Sequence, residues 1–377
     1  LLDGLDRGSI LYGNASSATT VLGQGTADQV LTSDGTDIAW ADASGGGISG
    51  LTGLVEDASI WLGNDPSGTT STAENNVAVG AEALDALTTG DNNVALGWNA
   101  LTAATTASSN VAIGRDAMRT NEEGLGNIAI GLYAMDVCSS AQYNIILGAA
   151  AGDSLTTGDY NIGIGSTALS DALTGSSNVA IGRNSGEKMT DGYNNVLYGG
   201  YSGRFITNSG NNNTVVGHGA FGDASSGSPA NNTVIGKEAG TAGSPGGDID
   251  DGSNGIYLGD ENISAANIQV DWTIASDKRD KTDVSPMDLG LEFINQLEPV
   301  TYRWDKRSKY SDDQSATPDG THKEEQLEGG FLAQDVEAIE EQYGHKLSDN
   351  TNLTFHLSGD EKMYGIKYGK FVPMLVK

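Results

Sequence analysis

Ser276 and Lys281 are the residues of this chain whose types and spacing could do chemistry. They stand five positions apart in the stretch 275–281, ASDKRDK, with Asp277 and Arg279 between them. A serine hydroxyl is a nucleophile when a neighbouring base takes its proton, and a neutral lysine can be that base. The Ser276 hydroxyl also adjoins the Ala275 carbonyl. The stretch is therefore a candidate self-cleavage site, with Ser276 and Lys281 as catalytic residues and Asp277 and Arg279 in support.

The spacing limits how the two side chains can meet. Residues five apart lie on different sides of a helix and on opposite faces of a strand. Ser276 and Lys281 therefore need an irregular turn between them, or a lysine supplied by a neighbouring chain. The lysine must also be neutral, which burial or a nearby cation such as Arg279 would favour. On these two residues alone, a capped turn with ordinary surface charges is the better interpretation.

A repeated phrase fills residues 59–260, before that stretch. An asparagine, an aliphatic residue, a small or aliphatic residue, another aliphatic residue and a glycine recur in this order. The closing glycine returns every 17 residues from Gly63 to Gly199, and the last three steps are 18, 19 and 23 residues. Clear copies begin at Asn76, Asn93, Asn110, Asn127, Asn144, Asn161 and Asn178. A fixed period of this length predicts a stacked repeat fold.

Each repeat is expected to hold two or three short strands. The alternating aliphatic residues predict a strand with one apolar face turned inward, and the glycine permits a tight turn. A small residue follows three positions later, as at Ala83 and Ala100, and we predict a second strand there. A single coil cannot bury its apolar face, so neighbouring coils must stack. The steps from Gly63 to Gly259 predict a rod of roughly 50 Å.

Composition and charge limit the classes of function. The 377 residues include 53 glycines and carry a formal net charge of −30. Glycine without a three-residue period excludes collagen. Such an acidic chain is unsuited to nucleic acid or anionic membranes, which attract Lys and Arg. No apolar run is long enough to cross a membrane. We expect neither nucleic-acid binding nor membrane insertion, and the single cysteine, Cys138, excludes a disulfide framework.

Other polar residues of the repeat give no convincing site. Carboxylates such as Asp85 and Glu122 lie in variable turns without common spacing, which favours a solvated face over a glycosidase pair. Residues 248–254 faintly resemble a calcium loop but lack the closing glutamate. His218 is a lone imidazole beside a repeat glycine, without an evident ligand partner. The sequence therefore predicts no cofactor, no metal site and no turnover enzyme.

The repeat resembles two known groups of fibrous proteins. The phrase Asn-Val-Ala-Ile-Gly-x-x-Ala, present at residues 110–117, is similar to the head repeats of trimeric autotransporter adhesins, which form a parallel β-roll. Similar repeats occur in phage tail fibres. Three associated chains would also enlarge the small core of a thin coil.

Before the repeat, residues 1–58 predict a β spacer module with short strands at 8–13 and 29–40 and a glycine joint at 45–47.

The residues after the repeat resemble the intramolecular chaperone domain at the C-termini of phage tailspikes and fibres, including endosialidases. The matching phrases lie at residues 276–282, 289–304, 330–336, 364–368 and 372–377. This resemblance implies cleavage between Ala275 and Ser276 once three chains have assembled, with Ser276 as the nucleophile and Lys281 as the base. An N-to-O acyl shift is our hypothesis for the route.

Together these patterns predict a mostly β protein. A trimeric parallel β-roll or β-helix of 17-residue repeats at 59–260 precedes a small α+β chaperone domain at 261–377. The predicted function is that of a homotrimeric phage tail fibre or tailspike segment for host attachment, assembled in the host cytoplasm and carried on the virion tail. Expected partners are a host cell-surface receptor, glycan or protein, and other virion tail proteins. The alternatives are a bacterial trimeric surface adhesin and a polysaccharide-degrading tailspike.

Overall fold

The structure is a computed structural model of one chain. The structure describes residues 9–13, 19–26, 29–33, 38–42, 53–56, 59–63, 71–207, 209–221, 228–241, 244, 247–249, 252–270, 272–311, 315–358 and 363–377.

The first elements are two antiparallel hairpins. β1 (Ile10–Gly13) pairs with β2 (Thr19–Leu22), and β3 (Gln29–Ser33) pairs with β4 (Ile38–Asp42). Strands therefore form in both segments where the sequence predicts them. The glycine joint predicted at 45–47 lies outside the described residues.

A stack of parallel strands forms the shaft. β5 (Gly53–Glu56) pairs antiparallel with β6 (Ser59–Gly63), and from β6 onward each strand pairs in parallel with the next one along the chain. The further strands are β7 (Val77–Gly80), β8 (Val94–Leu96), β9 (Val111–Ile113), β10 (Ile128–Ile130), β11 (Ile145–Leu147), β12 (Ile162–Ile164), β13 (Val179–Ile181), β14 (Val196–Tyr198), β15 (Thr214–Val216), β16 (Thr233–Ile235) and β17 (Ile256–Leu258). Each residue lies opposite its counterpart one repeat away, as Val77 does opposite Val94. The predicted mostly β fold of parallel repeats is confirmed.

Each complete coil from β7 onward contains one short strand, and turns make up most of the rest. The small residues predicted to lie on a second strand, such as Ala100, are instead buried in turns. Their neighbours show why: Asn99 (φ 57°) and Leu101 (φ 53°) have left-handed backbone conformations, which no strand contains. The prediction of a second strand was wrong. Left-handed residues turn the chain back to the start of the next strand.

The aliphatic pair of each strand faces outward, contrary to the sequence prediction. In β9 the central Ala112 is fully buried, whereas Val111 and Ile113 on either side of it are only half-buried. The inward space beside Ala112 belongs to larger side chains from the turns, including the fully buried Met118. The coil is thus too thin to enclose both the turn side chains and the aliphatic pair.

Large and small residues alternate inside the coil so that its volume stays filled. Where the strand centre is the large Ile146, the following turn contains Gly152, and a Cβ added there would lie 3.3 Å from Ile146 Cδ1. In the next coil the centre is Gly163 and the turn supplies the fully buried Leu169. This complementarity follows from the close packing of protein interiors.

The repeat asparagines form a buried hydrogen-bonded ladder. The backbone N–H and the side-chain amide of Asn127 donate to Oδ1 of Asn110 at 2.9 and 3.2 Å, and the amide also donates to Ala141 O at 2.7 Å. Oδ1 of Asn127 in turn accepts from the backbone and the amide of Asn144, both at 3.0 Å. The ladder consists of Asn76, Asn93, Asn110, Asn127, Asn144, Asn161, Asn178, Asn195, Asn213 and Asn232. It satisfies polar groups that no strand pairs.

The glycine that ends each strand is required by both conformation and space. Gly131 has φ 145°, and a Cβ built on it would lie 2.3 Å from the carbonyl oxygen of Gly148 in the next coil. Side chains rarely adopt that conformation and cannot fit at that distance. The strict spacing of these glycines therefore reflects direct contact between coils.

The C-terminal region combines short helices with two antiparallel strand pairs. β18 (Val300–Tyr302) pairs with β19 (Glu328–Gly330), and β20 (Phe355–Leu357) pairs with β21 (Tyr364–Ile366). The helices are α1 (Leu291–Ile294), α2 (Ala333–Glu340) and α3 (Phe371–Val376). Short 3₁₀ helices lie at Lys278–Asp280, Arg307–Lys309, Glu341–Tyr343 and Tyr368–Lys370. The buried residues Leu289, Phe293, Leu297, Val336, Phe371 and Met374 form one core. The predicted small α+β region is confirmed.

Candidate active site

The residues predicted for self-cleavage lie in one tight turn. Asp277 is extended (φ −67°, ψ 132°) and caps the 3₁₀ helix Lys278–Asp280, because its carboxylate accepts from the backbone N–H of Arg279 at 2.9 Å. The Arg279 guanidinium returns to the same carboxylate, with Nη2 2.6 Å from Oδ2. The two supporting residues predicted from the sequence thus hold the turn.

The turn brings the predicted nucleophile and base into contact. The ammonium of Lys281 donates a hydrogen bond to Ser276 Oγ at 2.6 Å. Helical or extended backbone would separate these side chains, so the contact depends on the 3₁₀ turn between them. It arises within one chain and needs no lysine from a neighbour. For nucleophilic attack the proton must move the other way, from the hydroxyl to a neutral lysine.

The site is open to solvent in the single chain. Ser276 and Lys281 are both exposed, and the Arg279 side chain is 88% exposed. The hydrogen bonds from Arg279 lower the pKa of Asp277, and the same pair raises the pKa of Arg279. The ion pair fixes the local geometry, while water reaches every other group of the turn.

The segment leading to the site is also uncovered. Residues 268–270 and 272–274 form no strand, although their alternation of apolar and polar residues is typical of one. The apolar residues of this segment are strongly exposed, including Trp272 at 73% and Ile274 at 83%. Extended backbone with unpaired N–H and C=O groups gives a strand only when another strand pairs with it.

Two polar contacts outside the turn join segments that are distant along the chain. Lys309, in the C-terminal region, lies 3.3 Å from the Glu261 carboxylate at the end of the shaft. Further along, His345 Nε2 lies 2.8 Å from Asp288 Oδ1, and its Nδ1 lies 3.1 Å from Thr351 O. No sequence pattern indicates the His345–Asp288 pair, because the two residues are far apart along the chain.

Neither a metal centre nor a membrane span emerges from the described residues. No group of three or more His, Cys, Asp or Glu side chains in the described part of the chain is placed to hold a metal ion. Within the same residues, no helix combines the length and the apolar character needed to cross a bilayer.

A comparison with known protein families gives a match that begins in this turn. Residues 276–345 match the family model described as chaperone of endosialidase. The match begins at Ser276, directly after the candidate scissile bond, and the chaperone-of-endosialidase segment includes α1, β18, β19 and α2. No curated protein and no solved structure matches the chain. A parallel β-solenoid followed by an endosialidase-type chaperone segment fits a tail-fibre-like protein with an intramolecular chaperone.

Proposed function

We propose that the chain is a homotrimeric segment of a phage tail fibre or tailspike that attaches the virion to its host. Residues 261–377 act as an intramolecular chaperone that drives trimer assembly. The Ser276–Lys281 pair then cuts between Ala275 and Ser276 and releases the chaperone. The protein belongs to the virion tail and is assembled in the host cytoplasm.

The outward apolar face of the shaft is the observation that carries this proposal. Two apolar or β-branched side chains point outward from nearly every strand between β7 and β17, and in a single chain they are half-buried or exposed, as at Ile130 (39%) and Val196 (43%). The stripe runs along a shaft of roughly 50 Å. Its exposed area is on the order of 1,000 Å², larger than the apolar patches of ordinary monomers and comparable to one side of a stable interface.

Sister chains are the partners that fit this face. The stripe is periodic, with strands paired in register, so copies of the same chain aligned in parallel can match it along its full length. Trp272 and Ile274, which precede the cleavage site along the chain, are also apolar and exposed. The chaperone-of-endosialidase match supports an assembly step at this point. The number three follows from the resemblance of the repeat to trimeric adhesin heads and tail fibres.

Cleavage is proposed to proceed by an acyl shift. Neutral Lys281 takes the proton of the Ser276 hydroxyl, and Oγ attacks the Ala275 carbonyl carbon. The amide C–N bond breaks as the nitrogen receives the proton from Lys281, which leaves an ester between Ala275 and Oγ. Water hydrolyses that ester to the Ala275 carboxylate and a free Ser276 hydroxyl. Packing of sister chains around the exposed turn would disfavour charged Lys281 and so activate the pair only after assembly.

Sedimentation of the intact chain tests the assembly proposal. We expect a trimer for the wild type, and dissociation when a charge enters the stripe in Ile130→Glu, because the carboxylate would be buried in the interface. Thr157→Glu is the matched control, since Thr157 lies in an exposed turn. A wild type that sediments as a stable monomer at micromolar concentration would refute the trimer.

Intact mass of the denatured protein tests cleavage separately. The wild type and Lys278→Ala, which changes a neighbouring lysine without an assigned role, should both give a fragment beginning at Ser276. Ser276→Ala and Lys281→Ala should remain whole. If the wild type gives no such fragment, self-cleavage is wrong, whereas the trimer and the chaperone are judged by sedimentation.

A further inference from the structure

One column of side chains on the shaft differs from the rest. The residue directly after each strand glycine from Gly80 to Gly236 takes the same position in successive coils, and we call this set the post-glycine column. It contains Ala81, Trp98, Arg115, Leu132, Ala149, Ser166, Arg183, Gly200, His218 and Lys237. Within residues 71–260 the column holds three of the six Arg and Lys residues, so the few cations of the shaft concentrate on it.

Arg183 is the cation of this column without a carboxylate partner. The other five shaft cations form ion pairs: Arg115 with Asp116, Arg119 with Asp136, Lys188 with Asp171 and Glu187, Arg204 with Glu187, and Lys237 with Glu238. Among the described residues Arg183 has no such pair. The guanidinium has five N–H donors, and its hydrogen bond within the described chain goes to the Tyr201 hydroxyl. Most of its donors are left for a ligand.

Aromatic contacts hold the exposed guanidinium in place. Arg183 Cζ lies 4.7 Å from the centroid of the Tyr201 ring, and Arg204 Cζ lies 5.4 Å from the same centroid. The exposed imidazole of His218 meets Tyr201 edge to face, with the centroids 5.6 Å apart. Stacking of this kind orders a cation while its N–H groups remain available at the edge.

Gly200 places no side chain between Arg183 and His218 in the post-glycine column, and we call this position the gap. A Cβ added to Gly200 would meet His218 Cδ2 at 3.4 Å, an ordinary contact, and the backbone there is not in the left-handed region. The fold therefore does not require glycine at this position, unlike at the strand ends. The column positions of Arg183 and His218 are two coils apart, roughly 10 Å along the shaft at the usual spacing of paired strands.

The charge around this gap suits an anion. Residues 183–218 carry three Lys or Arg and two carboxylates, whereas residues 71–182 carry two Lys or Arg and eleven carboxylates. The excess of negative charge in residues 71–182 repels anions, and this excess is absent from residues 183–218, where Arg183 lies.

We propose that Arg183, Tyr201 and His218 around Gly200 bind the carboxylate of an acidic saccharide. Arg183 would take the carboxylate through paired N–H donors, and a His218 N–H would reach a second oxygen or a ring hydroxyl. The gap is one residue wide and surrounded by an acidic rod, so it fits a chain of single sugars better than a broad protein surface. This inference rests on the proposed attachment function and names the receptor class as a carboxylated glycan.

Binding of defined saccharides by the intact protein tests the site. The probes are oligosaccharides that contain hexuronic or nonulosonic acids, each compared with its carboxyl-reduced counterpart and with sulfated oligosaccharides of equal length. We expect at least one carboxylated probe to bind, and its affinity to fall tenfold or more on carboxyl reduction and in Arg183→Gln. Arg115→Gln is the matched control, because Arg115 occupies the same column but already pairs with Asp116.

Several outcomes would overturn the assignment. The site is wrong if no carboxylated probe binds, if Arg115→Gln weakens binding as much as Arg183→Gln, or if sulfated probes bind equally well, which would show a general anion site. Binding of the labelled wild type to bacterial cells separates this question from attachment. If the Arg183→Gln variant still binds cells, the saccharide site is wrong and the attachment function is supported. If the wild type binds saccharides but not cells, the attachment function is wrong and the saccharide site is supported.

Discussion

Replacing one asparagine of the ladder should weaken the shaft locally and strongly. In Asn127→Ala the carbonyl of Ala141 loses the amide that donates to it at 2.7 Å, and the backbone N–H of Asn144 loses its acceptor at 3.0 Å. Both groups are buried where no other partner replaces the lost one. The Asn144 side-chain amide keeps its bond to Gly158 O at 2.9 Å.

The expected size of the effect follows from those two orphaned groups. A buried polar group left without a partner costs about 1–3 kcal/mol. Two such groups predict a loss of about 4 kcal/mol, which corresponds to roughly a thousandfold change in a local opening equilibrium. The loss should be confined to neighbouring coils, since stacked repeats contact only their neighbours.

Hydrogen–deuterium exchange followed by mass spectrometry measures this local opening. Peptides covering residues 127–148 should lose about three orders of magnitude in protection in Asn127→Ala. Gln142→Ala is the control, because it also removes a carboxamide from this coil, and the Gln142 side chain has no hydrogen-bond partner among the described residues. We expect this substitution to change the free energy of local opening by no more than about 0.5 kcal/mol. Equal protection in the two variants would refute the ladder as a source of stability.

Three further predictions concern single positions. In Gly148→Ala the new Cβ would lie 2.4 Å from the Gly165 carbonyl at φ 145°, so we expect a loss of more than about 2 kcal/mol in thermal unfolding; a wild-type melting curve would contradict it. Burial raises the pKa of the Cys138 thiol to about 12, so the folded protein should not react with a thiol reagent at pH 8, and rapid labelling would refute this burial. The hydrogen bond between His345 and Asp288 raises the pKa of His345 and lowers that of Asp288. The raised pKa of His345 stabilises the fold fully below about pH 6.5, the ordinary pKa of histidine, and this stabilisation is lost as the pH rises through the raised pKa. The lowered pKa of Asp288 stabilises the fold at higher pH, and this stabilisation is lost as the pH falls through the lowered pKa. Because the Asp288 side chain is 58% exposed, the contribution should be about 0.5–1 kcal/mol. Urea midpoints of the wild type should therefore fall from pH 6 to 8.5 more than those of His345→Gln, and parallel profiles would refute the link.

Much of the fold could be predicted from the sequence because it rests on local periodicity. The spacing of glycines such as Gly131 and Gly148 predicts stacked parallel coils, since only glycine fits where one coil touches the next. In the C-terminal region, the spacing of Leu289, Phe293 and Leu297 predicts that they share one buried face, and they do.

The residues of the candidate active site could also be proposed from the sequence, but not their geometry. Residue types and a family resemblance indicated Ser276 and Lys281, and their spacing required an irregular turn. The distance of 2.6 Å between them depends on how Asp277 and Arg279 fold back on each other. The solvent exposure of the turn depends on what the rest of the chain leaves uncovered, which no local pattern specifies.

The sequence by itself determined the repeat, its period, the parallel stacking and the order of shaft and chaperone-like region. Tertiary structure alone decided which side of each strand faces the interior. An alternating pattern defines two faces but not their direction, and the left-handed turns and the large side chains that they carry inward, such as Met118, force the aliphatic pairs outward. It also decided which distant residues meet, because Arg183 and His218 come together around Gly200 only when the chain winds through successive coils.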